Sequence, residues 1–71
     1  MNHLEIKAAR RDLGLTQREL GDMLETDAQT VRRMEMDPEF AITARQPAPR
    51  MVRLIEAYLS GYRPEDWPNG K

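Results

Sequence analysis

Apolar residues recur at helical intervals near the start of the chain. The apolar Ile6, Ala9 and Leu13, with Arg10 beside them, recur at the spacing of one helix face. Asn2 and Glu5 have the spacing of a capping box before this run, and Gly14 follows it as a natural helix stop. The pattern predicts a first helix over about residues 3–13.

The second predicted helix has the best-marked start in the sequence. Thr16 and Glu19 have capping-box spacing, in which the hydroxyl accepts from one amide and the carboxylate accepts from the other. Leu15 and Leu20 can form a hydrophobic staple across this cap. A helix from Gln17 to Leu24 is predicted, with a buried face made of Leu20, Met23 and Leu24.

A third helix follows after a very short connection. Asp27 is a good N-cap, because its carboxylate suits both the free amides and the positive end of the helix dipole. Only Glu25 and Thr26 separate this cap from the second helix, so the two helices must meet at a sharp angle. The arrangement predicts a helix-turn-helix over about residues 16–36.

Prolines divide the rest of the chain. Asp37-Pro38 ends the third helix or starts the next loop, and the two prolines of ARQPAP exclude a long helix there. The conformation of EFAIT, residues 39–43, stays open. A last helix over about residues 48–60 is predicted by the helical spacing of Met51, Leu54, Ile55, Tyr58 and Leu59. With an irregular tail over residues 61–71, we expect one all-α domain over residues 1–71, a four- to five-helix bundle.

Length and composition limit how this domain can be held together. In a chain of 71 residues, the core supplies about 3–5 kcal/mol of stability. There is no Cys, so no disulfide or thiolate zinc site is expected, and His3 is the only histidine, so no metal site is expected. Association with a second copy would add buried area.

The sequence also bears on location and catalysis. No apolar run approaches the roughly 20 residues that span a bilayer, and the N-terminus lacks the apolar core of a secretory signal, so a cytoplasmic protein is expected. The chain has no phosphate-cradling glycine loop, no HExxH motif and no Cys nucleophile, and Ser60 is its only serine. We expect no enzymatic activity, no cofactor and no small-molecule ligand.

The charge balance alone argues against nucleic-acid binding, because the net charge is −1. The third helix changes this picture. Its predicted buried side holds Val31 and Met34, and its opposite side is centred on Gln29. Arg32 and Arg33 flank that outer side. Such residues often form a solvated helix face, but a locally basic face can bind DNA when acidic residues lie elsewhere.

The residue types on this outer side match the edges of base pairs. Arg can donate two hydrogen bonds to guanine, and Gln can pair with the donor and acceptor of adenine. The small Ala28 would let the helix come close, or touch a thymine methyl. Gln17, at the exposed start of the second helix, could hold a phosphate together with the helix amides. In a capped and tightly turned helix pair, these features favour DNA binding over a solvated face.

From about Ile6 to Glu35 the sequence resembles the Cro and phage-repressor family of helix-turn-helix regulators, the XRE-like family. The resemblance is carried by RRDLGLTQREL, in which LTQ is followed by the small Gly21, and by TVRRME, in which Met34 precedes Glu35. The segment RQPAPRMVRLIEAYL also resembles small phage-borne repressors, including anti-CRISPR-associated autorepressors. From this resemblance we expect a regulator encoded by a phage or another mobile element.

The resemblance implies a lambda-repressor-like domain that binds double-stranded operator DNA as a two-fold dimer. By motif position, the base-contacting residues would be Ala28, Gln29, Arg32 and Arg33. Thr16 and Gln17 would contact phosphate, and Arg10 would form a structural ion pair with Glu35.

Two positions depart from the family pattern. Glu25 stands where members usually have Gly, and a left-handed conformation there would cost about 1–2 kcal/mol. Asp27 puts a carboxylate where members often use a hydroxyl near phosphate. For Asp27 we therefore expect a capping role rather than a phosphate contact.

The last predicted helix carries more apolar surface than so small a core can cover. Leu54, with Tyr58 or Ile55, should pack inside the domain. The hypothetical dimer interface consists of Met51, Val52, Ile55, Leu59, Tyr62 and Trp67. It would place the two third helices about 34 Å apart, one turn of DNA. Beside this helix, Arg45 and Arg50 are further candidates for phosphate contact, with solvated charge as the alternative.

The function expected from the sequence is that of a transcriptional regulator, a repressor or autorepressor that binds an inverted-repeat operator as a homodimer. The alternative is an antitoxin-like or adaptor module that binds another protein and contacts DNA only secondarily. In that alternative, Arg32→Ala and Arg33→Ala would leave function intact, while changes in the last helix would abolish it.

Overall fold

The computed structural model of the protein describes residues 1–70 and contains four α-helices. Their bounds are α1 His3–Asp12, α2 Gln17–Met23, α3 Ala28–Met34 and α4 Pro49–Leu59. No β-strand occurs within residues 1–70. The all-α class and the helix-turn-helix are thus confirmed. None of the helices in this part of the chain combines the length and the apolar character that crossing a bilayer requires.

The starts of α1 and α2 are fixed by their own sequences. Asn2 Oδ1 accepts from the Glu5 amide at 2.8 Å, and Glu5 Oε1 accepts from the Asn2 amide at 2.9 Å. Thr16 Oγ1 accepts from the Glu19 amide at 3.0 Å, and Glu19 Oε1 accepts from the Thr16 amide at 2.9 Å. Both predicted capping boxes are therefore formed, and each satisfies two amides that helix geometry leaves unpaired.

The core lies where the four helices meet. Its fully buried large side chains come from every helix: Ile6, Leu20, Val31, Met34, Ile55 and Tyr58. α2 packs mainly on α3, and α4 contacts α1. The Tyr58 hydroxyl also donates to the carbonyl of Met23 at 3.4 Å, which links α4 to the end of α2.

Close approach of α2 and α3 is visible at two residues, Glu25 in the turn and Gly21 within α2. Glu25 has a φ of 59°, so this residue adopts the left-handed conformation expected at its position. A Cβ added to Gly21 would lie 2.8 Å from the carbonyl carbon of Asp27. Gly21 is therefore needed because the backbone at the start of α3 passes directly over α2.

One residue of the hypothetical dimer interface belongs to the core. Ile55 is 0% exposed, so its expected contact with a partner is wrong. The reason is that the stripe of α4 through Ile55 and Tyr58 fills the apolar opening left by the first three helices. Val52 remains half-buried, and Leu59 and Tyr62 are exposed.

The tail folds back onto the end of α4. The Trp67 ring meets the Tyr58 ring edge-on, with centroids 5.0 Å apart. The Arg63 guanidinium lies 4.3 Å from the Trp67 ring centroid and donates to the carbonyl of Tyr58 at 2.7 Å. These contacts, which no periodicity signals, engage Trp67 within its own chain and leave less of its ring for a second protomer.

Candidate nucleic-acid interface

α3 has one side in the core and the other in solvent. Val31 and Met34 are buried. The opposite side carries the four residues expected to contact bases: Ala28, Gln29, Arg32 and Arg33. Gln29 and Arg32 are exposed, whereas Ala28 and Arg33 are half-buried. The helix thus presents one amide and two guanidinium groups on its outer side, and these are the donors that base edges in a major groove accept.

The start of α3 is held by the side chain of Asp27. Its Oδ1 accepts from the Thr30 amide at 2.7 Å. Hydrogen bonds from Thr30, assisted by the charge of Arg33, hold the pKa of the Asp27 carboxyl below its ordinary value. This carboxylate serves as a cap, in agreement with the capping role expected for it.

The loop after α3 brings a further guanidinium to the outer side of α3. The Arg45 amide donates to the carbonyl of Arg33 at 3.0 Å, so the loop is fastened to the C-terminal end of α3. A shallow cleft of about 330 Å³ between them is lined by Arg33, Ile42, Thr43, Ala44 and Arg45. Arg50 is exposed in the first turn of α4 and does not line this cleft.

The start of α2 holds the other two candidates for phosphate contact. Thr16 is exposed, and its hydroxyl oxygen accepts from the Glu19 amide, which leaves the hydroxyl proton able to donate. Gln17 is half-buried, and its Nε2 donates to Glu35 Oε1 over a long 3.4 Å. One hydrogen of the Gln17 amide is thereby directed to the end of α3, a contact that sequence spacing does not reveal.

Arg10 and Glu35 fix α3 against α1. Arg10 Nε donates to Glu35 Oε2 at 2.6 Å, and Arg10 Nη2 donates to Glu35 Oε1 at 3.1 Å. Arg10 Nη1 also donates to the carbonyl of Leu15 at 3.0 Å. Only 4% of the Glu35 side chain and 14% of the Arg10 side chain are exposed. This bidentate pair, with Gln17 beside it, therefore determines how α3 is held.

Sequence reasoning missed two exposed apolar residues beside this surface. Residues 38–43 form turns rather than a helix. Phe40 is 86% exposed and Ile42 is 104% exposed. The usable signal was the presence of large apolar residues in a segment without helical periodicity, because such residues have no helix face through which to enter a core.

The outer side of α3 and the neighbouring loop therefore offer donors and cationic groups. Among residues 1–70, no three His, Asp or Glu side chains come together in a way that could hold a metal ion. Guanidinium groups on the outer side of a helix suit the phosphates and base edges of a duplex.

Comparison with known proteins agrees with this geometry. The family described as Helix-turn-helix matches residues 6–67. No curated protein and no solved structure matches the chain. The family match takes in α1 from Ile6 onwards, all of α2 to α4 and the tail as far as Trp67. The chain therefore belongs to the XRE-like helix-turn-helix family, whose members are DNA-binding transcription regulators.

Proposed function

We propose that this protein represses transcription by binding, as a homodimer, to an inverted-repeat operator in double-stranded DNA. The observation that carries the proposal is the division of α3. Its inner residues Val31 and Met34 are buried, while Gln29 and Arg32 extend from the opposite side with no part in the core. A helix held so firmly on one side can present its other side to a major groove.

In this proposal the base edges are read from α3. Arg32 and Arg33 donate to guanine, Gln29 pairs with adenine, and Ala28 permits close approach or touches a thymine methyl. Asp27 supports this role by capping α3, since its carboxylate accepts from the Thr30 amide and so holds the first turn of the helix.

Phosphate contacts would orient the helix on the duplex. The candidates are Thr16 and Gln17 at the start of α2, and Arg45 beside α3; of these, Gln17 is hydrogen-bonded to Glu35 and Arg45 to Arg33. Arg50 stays in the proposal on its exposure alone. Such contacts give affinity and register but little sequence preference.

A two-fold dimer would place two copies of α3 on successive turns of one DNA face. Its interface would be formed by α4 and the residues after it: Met51, Val52, Leu59 and Tyr62, with the uncovered part of Trp67. Of these, Leu59 is 45% exposed and Tyr62 is 53% exposed. A bound dimer would repress by occluding a promoter, which requires no module beyond the DNA-binding domain.

Selection of bound duplexes from a random DNA pool tests the proposal. We expect enrichment of an inverted repeat with half-site centres about 10 bp apart. The logarithm of the affinity should fall with the logarithm of salt concentration, with a slope that corresponds to several phosphate contacts. If no sequence is enriched and binding stays weak at low salt, the proposal fails and a protein partner of α4 becomes the better hypothesis.

Substitution of Arg32 distinguishes base reading from general electrostatic attraction. Arg32→Ala should weaken binding to the selected operator by about 1–3 kcal/mol and relax the preference at one base-pair position in each half-site. The matched control is Arg53→Ala, which removes an exposed guanidinium from α4. The two variants have the same net charge, so an equal loss in both would contradict base reading by Arg32.

A further inference from the structure

The connection between α3 and α4 is long for so small a protein. It takes up residues 35–48, whereas helix connections in bundles usually need about 2–8 residues. Near its middle, Phe40 and Ile42 are almost fully surrounded by solvent. Single exposed apolar residues are common on surfaces, but here two large ones lie two positions apart in a segment longer than the connection requires.

This part of the connection is ordered by its own hydrogen bonds. Asp37 Oδ1 accepts from the Glu39 amide at 2.9 Å. The Asp37 carbonyl accepts from the amides of Phe40 at 3.1 Å and Ala41 at 3.0 Å. The Ala44 amide then donates to the carbonyl of Ala41 at 3.1 Å. The turns therefore fix the backbone in a conformation that keeps both apolar side chains out of the core.

The surroundings of Ile42 are cationic. Ile42 lines the same cleft as Arg33 and Arg45, and the backbone bond between those two arginines holds the cleft against the C-terminal end of α3. Phe40 and Ile42 together form an apolar tip, and its Ile42 end is continuous with the surface proposed to read bases. The Phe40 end lies next to the exposed Glu39. A partner that fits must offer negative charge to the guanidinium groups and apolar atoms to the tip.

We infer that Phe40 and Ile42 form an apolar contact with operator DNA, between the base edge read by Arg33 and a phosphate held by Arg45. This inference rests on the proposed function and adds a second DNA-contacting element to α3. Sugar rings and thymine methyls supply the apolar atoms of a duplex, and apolar side chains that enter a groove are an established means of holding DNA. A second copy of the chain that docked this cleft against its own counterpart would fit less well, because Arg33 and Arg45 line the cleft and like charges facing each other across an interface are unfavourable.

The experiment measures the affinity of the Phe40→Ala/Ile42→Ala double variant for the operator selected by the wild type, over a range of salt concentrations. We expect affinity to fall about tenfold at every salt concentration, because apolar contact releases no counterions and so leaves the salt slope unchanged. The base preference at positions read by α3 should also stay the same. Arg45→Ala should instead reduce the salt slope by about 1.

Leu4→Ala is the matched control, because Leu4 is also a large exposed apolar residue but belongs to α1. Its operator affinity should equal that of the wild type. The Phe40→Ala/Ile42→Ala double variant and Leu4→Ala should both keep the wild-type melting temperature, since the replaced side chains lie outside the core. An unchanged melting temperature then excludes loss of fold as the cause of weaker binding.

A photo-cross-linking amino acid at position 40 identifies the occupant. Cross-linking to the operator strand supports the inference. Cross-linking to a second protomer, or unchanged operator affinity in the double variant, overturns it and leaves base reading by α3 intact. If the wild type itself selects no duplex, the proposed function fails and the inference fails with it, a result seen before any variant is made.

Discussion

At the residue scale, Glu25 is a position where the sequence conflicts with its backbone. Its φ of 59° is one that a Cβ disfavours and Gly accepts. Glu25→Gly should therefore stabilise the domain by about 1 kcal/mol, which for a chain of this size raises the melting temperature by about 4–8 °C. Thermal unfolding followed by circular dichroism measures this. Glu25→Ala, which removes the charge but keeps the Cβ, should bring no comparable gain, and an equal gain would assign the effect to charge.

Glu35 is the residue on which the position of α3 most depends. Its carboxylate accepts from Arg10 and Gln17 and is almost fully buried. Glu35→Ala would leave the Arg10 guanidinium without its counter-ion, and we expect a loss of about 3 kcal/mol in the free energy of unfolding by urea. Much of that loss should be recovered in the double variant Arg10→Met/Glu35→Leu, which leaves no buried charge. If the double variant is as unstable as Glu35→Ala, shape rather than charge governs this site.

At the element scale, the crossing of α2 and α3 depends on Gly21. Replacement by Ala favours a helix by about 1 kcal/mol in isolation. In this protein the new Cβ would lie only 2.8 Å from the carbonyl carbon of Asp27. We expect Gly21→Ala to destabilise the domain by about 1–3 kcal/mol, because backbone must move to make room. Urea unfolding measures the change, and a stabilised variant would mean that the two helices separate easily.

The cap of α3 gives the element a pH dependence. The pKa of Asp27 is lowered by its hydrogen bonds with Thr30. A carboxyl whose pKa is lowered in the folded state stabilises the fold at pH values above its ordinary pKa. That stabilisation is lost as the pH falls through the lowered pKa. The difference in stability between wild type and Asp27→Asn should therefore shrink as the pH is lowered from 7 to below about 3.8. A difference that stays constant over this range would contradict the assignment.

The four helices could be predicted because their signals are local. Capping boxes at Asn2 and Thr16 and the apolar spacing of α4 act within a few residues. Which side of α4 enters the core depends instead on the shape left by the other three helices, and this is why helical spacing alone does not place Ile55 in the core. The contacts of Arg63 with Trp67 likewise arise only when the chain has folded.

At the scale of the whole molecule, the proposed function predicts association of two chains. Leu59 is exposed at the end of α4, and its replacement should not disturb the core. In light scattering at about tens of micromolar, we expect the wild type to have twice the 8.3 kDa of one chain. Leu59→Asp should shift the mass towards one chain and weaken operator binding, because a buried charge in an interface is unfavourable. Ser60→Asp, which adds the same charge at the next residue, is the control. If the wild type has the mass of a single chain, the dimer no longer belongs to the proposal.

The division of α3 into buried and exposed residues also bears on how such a protein can diversify. Val31 and Met34 maintain the fold, and Gln29 and Arg32 have no part in the core. Mutations at the outer positions can therefore accumulate without loss of stability. Each resulting variant can be selected for binding to a different DNA sequence. Gene duplicates of this small domain could acquire separate targets while their interiors stay the same, so recognition is free to evolve faster than architecture.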